Sequence, residues 1–129
     1  MMRRTIGYAL LVGYAGAIFA VSELPVSTDA TALPHADKWF HAAEFAVFFA
    51  LAWNATGRRP LHAYGLTAFY AGTDELHQVF VPSRTASAWD LGADLGGALV
   101  ALLVLQTVFC LWESRRRRIL SQDQSKVES

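Results

Sequence analysis

Four long apolar segments dominate the chain and constrain its fold more than any other feature. They cover residues 5–21, 39–56, 61–81 and 88–112. A bilayer core is about 30 Å thick, and a helix needs about 20 largely apolar residues to cross it. Proline or glycine breakers, or polar runs, occupy the three connections, which are residues 22–38, 55–60 and 82–87. The pattern therefore predicts an all-α fold, an integral membrane bundle of four transmembrane helices.

The composition agrees with a chain embedded in a membrane. Charged residues make up 17% of the chain and hydrophobic residues 53%, and the formal net charge is zero. Low charge combined with long apolar runs excludes disorder, and the lack of a basic excess excludes a soluble nucleic-acid-binding protein. The single cysteine, Cys110, excludes an internal disulfide and a cysteine-cluster metal site.

The apolar segments have two other interpretations. Two arginines, an apolar run and the small residues 20–22 would also suit a cleaved signal peptide. That run is long for a signal, however, and its glycines at 7, 13 and 16 suit helix–helix packing. A soluble helical domain is disfavoured because too little polar surface remains to cover four such helices.

Basic residues predict the orientation of the chain in the membrane. They cluster at the N-terminus, the second connection and the C-terminal flank, as Arg3, Arg4, Arg58, Arg59, Arg115, Arg116, Arg117 and Arg118. Basic connections stay in the cytoplasm, and these three places share one side if four segments cross alternately. Both termini are therefore expected in the cytoplasm. A membrane domain would cover residues 1–114, and a basic, then polar tail, disordered at its end, would cover 115–129.

Segments two, three and four each carry one polar stripe at helical spacing. The stripes are Asp37, His41 and Glu44; then Asp74, His77 and Gln78, flanked by Glu75; then Asp90, Asp94 and Gly97. At 1.5 Å per residue the innermost carboxylates lie about 7–10 Å from the outer ends of their segments, and the inner halves are apolar. Ionisable groups are costly inside a membrane. The stripes therefore indicate a functional pocket open to the extracytoplasmic side, and not a through-channel, whose polar lining would continue across.

The polar residue types suit general acid–base chemistry, because carboxylates and histidines can exchange protons at short range. The candidate catalytic residues are His41, Glu44, Asp74, Glu75 and His77. A divalent metal ion is an open alternative, but the chain has no metal-binding spacing such as His-Glu-x-x-His, and no cofactor or ligand set is assigned. No serine or cysteine lies in a nucleophile motif.

The same residues also have structural interpretations. Asp37 beside Lys38 would suit a helix start near the headgroups, and the stripes with histidine would suit interhelical hydrogen bonds. Arg84 is expected to anchor at the headgroups, to pair with Asp90 or to hold an anionic ligand. Close helix packing is expected at the glycines of segment four, Gly92, Gly96 and Gly97.

The polar motifs resemble the VanZ-like family of small integral membrane proteins, also called the teicoplanin-resistance protein family. Its blocks are Asp-Lys-x-x-His, then Asp-Glu-x-x-Gln-x-Phe-x-Pro-x-Arg, then Asp-x-x-Ala-Asn-x-x-Gly. The chain carries them in this order at residues 37–41, 74–84 and 90–97. It departs at Asp94, where asparagine is common, so its site carries an additional carboxylate.

The resemblance implies a multi-pass protein of the bacterial cytoplasmic (inner) membrane that acts at the outer face, in a family linked to glycopeptide resistance. Expected partners are the lipid bilayer and a lipid-linked or envelope-derived anionic ligand, and not nucleic acid. Whether the protein is an enzyme and whether it forms oligomers both stay open. The candidate substrate-binding residues are Asp37, Lys38, Gln78, Arg84, Asp90 and Asp94.

Two further functions are compatible with the stripes. A small proton- or ion-coupled carrier would use the histidines and carboxylates as a relay, although the apolar inner halves count against it. A non-catalytic structural or interaction subunit would use the stripes only to join helices.

Overall fold

The computed structural model describes residues 2–24, 36–82, 84 and 86–127. Its helices are α1 (Met2–Ser22), α2 (Ala36–Ala55), α3 (Pro60–Gln78) and α4 (Ala88–Val127). Pro60 stands at the start of α3, where its fixed φ suits a helix and its missing N–H costs nothing. The described residues contain no strand, so the predicted all-α class is confirmed.

The helices form an up-and-down bundle in which α2 is central and packs against the other three. α2 and α4 run in the same direction, since Lys38 contacts Asp90 and His41 contacts Asp94 further along both helices. α1 runs opposite to α2, because Gly7 approaches Ala55, whereas Tyr14, later in α1, donates a hydrogen bond to the carbonyl of Glu44, earlier in α2. This topology gathers the end of α1, the start of α2, the end of α3 and the start of α4 at one end of the bundle.

Aromatic side chains fill the middle of the bundle. Phe45 and Phe49 of α2 are fully buried, and Phe48 stacks on Tyr70 of α3 with ring centroids 4.6 Å apart. The Tyr70 hydroxyl donates a 2.6 Å hydrogen bond to the carbonyl of Ala15 in α1. Such aromatic pairs contribute about 0.5–1.5 kcal/mol beyond area burial. The inner halves of the helices therefore form a packed, largely apolar core, to which α1 contributes.

Glycines permit close approach at two points. A Cβ built on Gly97 of α4 would lie 2.7 Å from Cα of Ala42 in α2, and one built on Gly7 would lie 3.1 Å from Cα of Ala55. The prediction of packing glycines is thus confirmed at these positions. It is wrong for Gly13, Gly16, Gly92 and Gly96, which face open space.

Two helices, over Arg4–Ser22 and Ala88–Gln124, are long and apolar enough by length and composition to cross a membrane. α2 and α3 do not meet that criterion, and they carry two of the three polar stripes. Large apolar side chains are exposed on the outer faces of all four helices, for example Leu10, Phe40, Phe69 and Leu103. Extended apolar exposure of this kind is typical of a surface that meets lipid or another protein.

α4 has 40 residues, and at 1.5 Å per residue it is about 60 Å long, roughly twice the thickness of a bilayer core. The helix continues without a break through Val127. Most of the segment predicted as a tail is therefore helical. The last two residues, where disorder was predicted, lie outside the described part of the chain.

Basic residues gather at the end of the bundle opposite the polar stripes. The turn between α2 and α3 has positive φ at Gly57 and Arg58, and the Arg4 guanidinium lies against Gly57. The Arg58 guanidinium lies over the ring of Phe109 in α4, 4.9 Å from its centroid. The three basic clusters predicted from the sequence, at the N-terminus, the second connection and the C-terminal flank, thus lie toward one end of the bundle.

Candidate functional site

Three ionisable side chains of the site meet where α2, α3 and α4 come together. His41, Glu75 and Asp94 each offer a ligand atom, and these atoms all lie within 4.8 Å of one another. His41 Nδ1 lies 3.0 Å from Asp94 Oδ1, and the Asp94 side chain is completely buried. Asp94 Oδ2 and Glu75 Oε1 are buried without a hydrogen-bond partner among the described residues. We call these three residues the triad.

Glu75 also fixes the start of α4. Its Oε2 accepts a 2.8 Å hydrogen bond from the backbone N–H of Ser87, just before the helix begins. Unpaired N–H groups and the positive end of the helix dipole favour a carboxylate at this position. Glu75, which flanks the stripe of Asp74, His77 and Gln78 in the sequence, therefore bonds toward α4 and not to Asp74.

Asp74 is buried and has both carboxylate oxygens occupied. Its Oδ1 accepts a 2.9 Å hydrogen bond from the hydroxyl of Ser22, and its Oδ2 accepts one of 2.9 Å from the amide of Gln78. The first bond joins the end of α1 to the end of α3, and the second lies within α3. Asp74, predicted as a catalytic residue, thus links two helices in this structure, and Gln78, predicted as a substrate-binding residue, bonds to the Asp74 side chain.

His77 faces α1 and not the triad. Its Nε2 lies 2.8 Å from Glu23 Oε1, and its ring stacks on Phe19 with centroids 4.2 Å apart. Although His77 shares a stripe with Asp74, the two side chains have different partners. The helical spacing placed both on one side of α3, but their separation of three residues still leaves about 60° between them.

Arg84 reaches back to the end of α1. Its Nη2 donates hydrogen bonds to the carbonyls of Val21 and Leu24, at 3.4 and 3.3 Å, where the negative end of the helix dipole favours a cation. Its Nε is buried without a partner among the described residues. Pairing with Asp90, one of the alternatives expected from the sequence, is wrong, because Lys38 occupies that carboxylate.

Lys38 links α2 to α4. Its ammonium contacts both Asp37 (2.9 Å) and Asp90, whose side chain is 13% exposed. Lys38 lies just before the predicted second membrane span. Burial alone would lower the pKa of its ammonium group. The hydrogen bonds with Asp90 and Asp37 outweigh burial, so the pKa is raised above its ordinary value of 10.5. The hydrogen bond from Lys38 lowers the pKa of Asp37 below 3.8. Both ions therefore stay charged at neutral pH.

Lys38→Met is expected to destabilise the protein by about 1–3 kcal/mol, because it leaves the Asp90 carboxylate partly buried without its partner. Thermal unfolding in detergent measures the effect. Since the pKa of Lys38 is raised, its contribution is fully present below 10.5 and is lost only as the pH rises through the higher folded value. The loss should therefore be constant between about pH 6 and pH 9.

Asp37→Asn is the matched control for Lys38→Met. Asp37 contacts the same ammonium, but its side chain is 58% exposed, and exposed ion pairs contribute about 0–1 kcal/mol. An equal loss of stability in both variants would contradict the assignment of Asp90 as the partner that matters.

A cleft of about 450 Å³ opens beside these residues, between α2 and the end of α1. Four of the predicted site residues line it, namely Asp37, His41, Glu44 and Arg84. Tyr14, Val21, Phe40, Ala43 and Val47 form the rest of its wall. Glu44 is half-buried and lines the cleft together with His41 and Arg84. One cation, two carboxylates and one histidine at an apolar wall can bind an anionic group through the cation and exchange protons with it.

Sequence reasoning missed the contribution of α1. Ser22, Glu23 and Tyr14 all bond to site residues or to their backbone. The signal was present, since Ser22 and Glu23 follow the first apolar segment directly, at the same depth as the stripes. Their partners cannot be read from spacing, because Ser22 and Glu23 are each more than 50 residues away along the chain from the residues of α3 that they contact.

Comparison with known proteins identifies one matching family. A family model described as VanZ/LLP1 matches residues 5–111, which cover most of α1, all of α2 and α3, and the first part of α4. No curated protein and no solved structure matches the chain.

Proposed function

Because the chain belongs to the VanZ/LLP1 family, we propose that it is a four-span protein of the bacterial cytoplasmic membrane. Its cleft binds the anionic group of a lipid-linked or envelope-derived ligand at the outer face. Membership in a family linked to glycopeptide resistance supports action on the cell envelope. The basic clusters at one end and the acidic stripes at the other support this orientation.

The observation that carries the proposal is the position of Arg84 in the cleft. The guanidinium lines the cleft beside His41 and Glu44, yet its Nε has no partner among the described residues. A buried donor without an acceptor costs about 1–3 kcal/mol. A phosphate or carboxylate of a ligand would remove this cost, because planar guanidinium groups bind such anions through paired hydrogen bonds.

The remaining cleft residues divide into two roles. Glu44 has no side-chain hydrogen bond among the described residues and faces the cleft with His41, so these two side chains handle protons. Asp94 orients His41 through the 3.0 Å contact, and Asp74 keeps α1 against α3. Asp37, Lys38 and Asp90 hold the mouth of the cleft in shape. Whether the bound ligand is also transformed depends on the ligand.

The packed apolar core argues against the alternative of a proton- or ion-coupled carrier. Phe45, Phe48, Phe49 and Ala52 are buried directly below the polar residues, and a relay would require polar groups to continue through this region. The bonds from Ser22 to Asp74 and from Lys38 to Asp90 give the structural-subunit alternative partial support. That alternative predicts that cleft substitutions impair folding and not ligand binding.

A polyprenyl phosphate and its uncharged polyprenol form the matched pair of probes for the cleft. We expect the purified protein to bind the phosphate at least tenfold more tightly than the alcohol in native mass spectrometry. Arg84→Gln should weaken phosphate binding by about 10–100-fold, because a charge-assisted hydrogen bond contributes about 1.5–3 kcal/mol. His62→Ala, an exposed residue near the opposite end of the bundle, is the control and should bind as the wild type does.

Two outcomes would contradict the proposal. Equal affinity for the phosphate and the alcohol would exclude anion recognition. Unchanged binding in folded Arg84→Gln, judged by helical content and elution volume, would exclude Arg84 as the anion ligand.

A further inference from the structure

The triad has the composition and geometry of a metal site. We propose that His41, Glu75 and Asp94 bind one divalent transition-metal ion, of the Zn²⁺ or Mn²⁺ type, at the junction of α2, α3 and α4. The site goes beyond the proposed anion-binding function and does not depend on it, since the metal can be measured without any envelope ligand.

The distances within the triad fit a metal ion after small side-chain movements. Zn²⁺ binds histidine nitrogen and carboxylate oxygen at about 2.0–2.2 Å, which separates neighbouring ligand atoms by about 3–3.5 Å. The His41 nitrogen and the Asp94 oxygen are already 3.0 Å apart, and the atom from Glu75 lies within 4.8 Å of both. Each ligand comes from a different helix, so the bundle itself brings the three together.

Unpartnered oxygens are the second, independent observation. Asp94 Oδ2 and Glu75 Oε1 have no hydrogen-bond partner among the described residues, although their side chains are more than nine-tenths buried. Ionised carboxylates in such surroundings are paired or bind metals, because the charge is otherwise very costly to bury. Asp74 is equally buried, yet both of its oxygens are satisfied. The unmet demand for a cation therefore lies at the triad, to which both unpartnered buried carboxylate oxygens among the described residues belong.

The two nearby basic side chains do not meet this demand. Lys38 contacts Asp37 and Asp90, and Arg84 donates to backbone carbonyls at the end of α1. His41 can supply at most one positive charge against two carboxylates. A divalent ion with a neutral histidine balances the triad fully.

The ligand set selects among metals. Imidazole favours Zn²⁺ over Mg²⁺, which retains water, and the two carboxylates also suit Mn²⁺. Three protein ligands leave a coordination position open, as in catalytic zinc sites. His41 also lines the cleft, so the open position would lie next to the proposed anion site. Glu44 would then be the cleft residue left to handle protons.

Metal titration of the chelator-stripped wild-type protein tests the proposal directly. We expect one Zn²⁺ or Mn²⁺ bound per chain in isothermal titration calorimetry, with Mg²⁺ at least tenfold weaker. Asp94→Asn and Glu75→Gln keep the side-chain shapes and remove one ligand charge each. Each should weaken Zn²⁺ binding by at least about 100-fold.

Asp74→Asn is the matched control, because it removes a carboxylate of the same depth whose oxygens are already bonded. It should retain Zn²⁺ binding within about threefold. No binding to the wild type below millimolar Zn²⁺ would overturn the proposal, and would mean that the triad shares protons instead. Binding retained in folded Asp94→Asn, or lost equally in Asp74→Asn, would also overturn the assignment to these residues. The wild-type titration decides whether the metal binds even if a variant fails to fold.

Discussion

Gly97→Ala is expected to destabilise the bundle by about 1–3 kcal/mol or more, one of the two largest effects that we predict. A Cβ at this position would lie 2.7 Å from Cα and 2.6 Å from the carbonyl carbon of Ala42. These are backbone atoms, so no side-chain rotation can relieve the overlap. α2 and α4 would have to separate where His41 meets Asp94 one turn away.

Gly96→Ala is the matched control for this effect. Gly96 is the preceding residue on the same helix, and a Cβ built there meets nothing within 4 Å. Alanine is favoured over glycine in helices by about 0.8–1.0 kcal/mol, so this variant should be neutral or more stable. Thermal unfolding of both variants in one detergent measures the difference. Similar melting temperatures for Gly96→Ala and Gly97→Ala would contradict the close approach of α2 and α4.

Labelling of single cysteines tests the membrane topology of the chain, and each position should be labelled either fully or not at all in intact cells. In a Cys110→Ser background, we expect a membrane-impermeant maleimide to label Ala86→Cys in intact cells. Ala86 is exposed in the connection between α3 and α4, at the end of the bundle that carries the acidic stripes. Ser114→Cys, exposed beyond the basic end, should be labelled only after permeabilisation.

His62→Cys extends the labelling test to α3. Its exposed side chain lies in the first turn of that helix, close to Arg58 and Arg59, so it should behave as Ser114→Cys does. Labelling of His62→Cys and Ala86→Cys from the same side would contradict a span formed by α3. Labelling of Ser114→Cys in intact cells would contradict the orientation that we propose from the basic residues.

The helices and their polar stripes could be predicted because both depend on local properties. A helix repeats every 3.6 residues, so the spacing of Asp90, Asp94 and Gly97 predicts that they share a face. In the structure all three contact α2. The fourth apolar segment ends at residue 112, but α4 continues to Val127. Its polar second half has no apolar periodicity that would predict a helix, although residues 115–127 contain no proline or glycine to end one.

The partners within the site could not be predicted, because they depend on the rotation of each helix about its axis. Arg84 and Lys38 are both plausible partners for Asp90 by depth, and only the packing of α2 on α4 selects Lys38. Glu75 and His77 lie two residues apart on α3 and point to opposite neighbours, α4 and α1. Ser22 bonds to Asp74 only because α1 packs beside α3, which the sequence does not show.

The sequence alone thus specified four helices, the family and the end of the bundle that carries the buried charge, since these follow from composition, periodicity and motif order. Tertiary structure decided which charges satisfy one another and which remain unpartnered. It brought His41, Glu75 and Asp94 from three helices to within 4.8 Å and left Arg84 in the wall of a cleft. The physical reason is that contacts between helices depend on how closely their backbones approach, and here the absence of a side chain at Gly97 sets that distance.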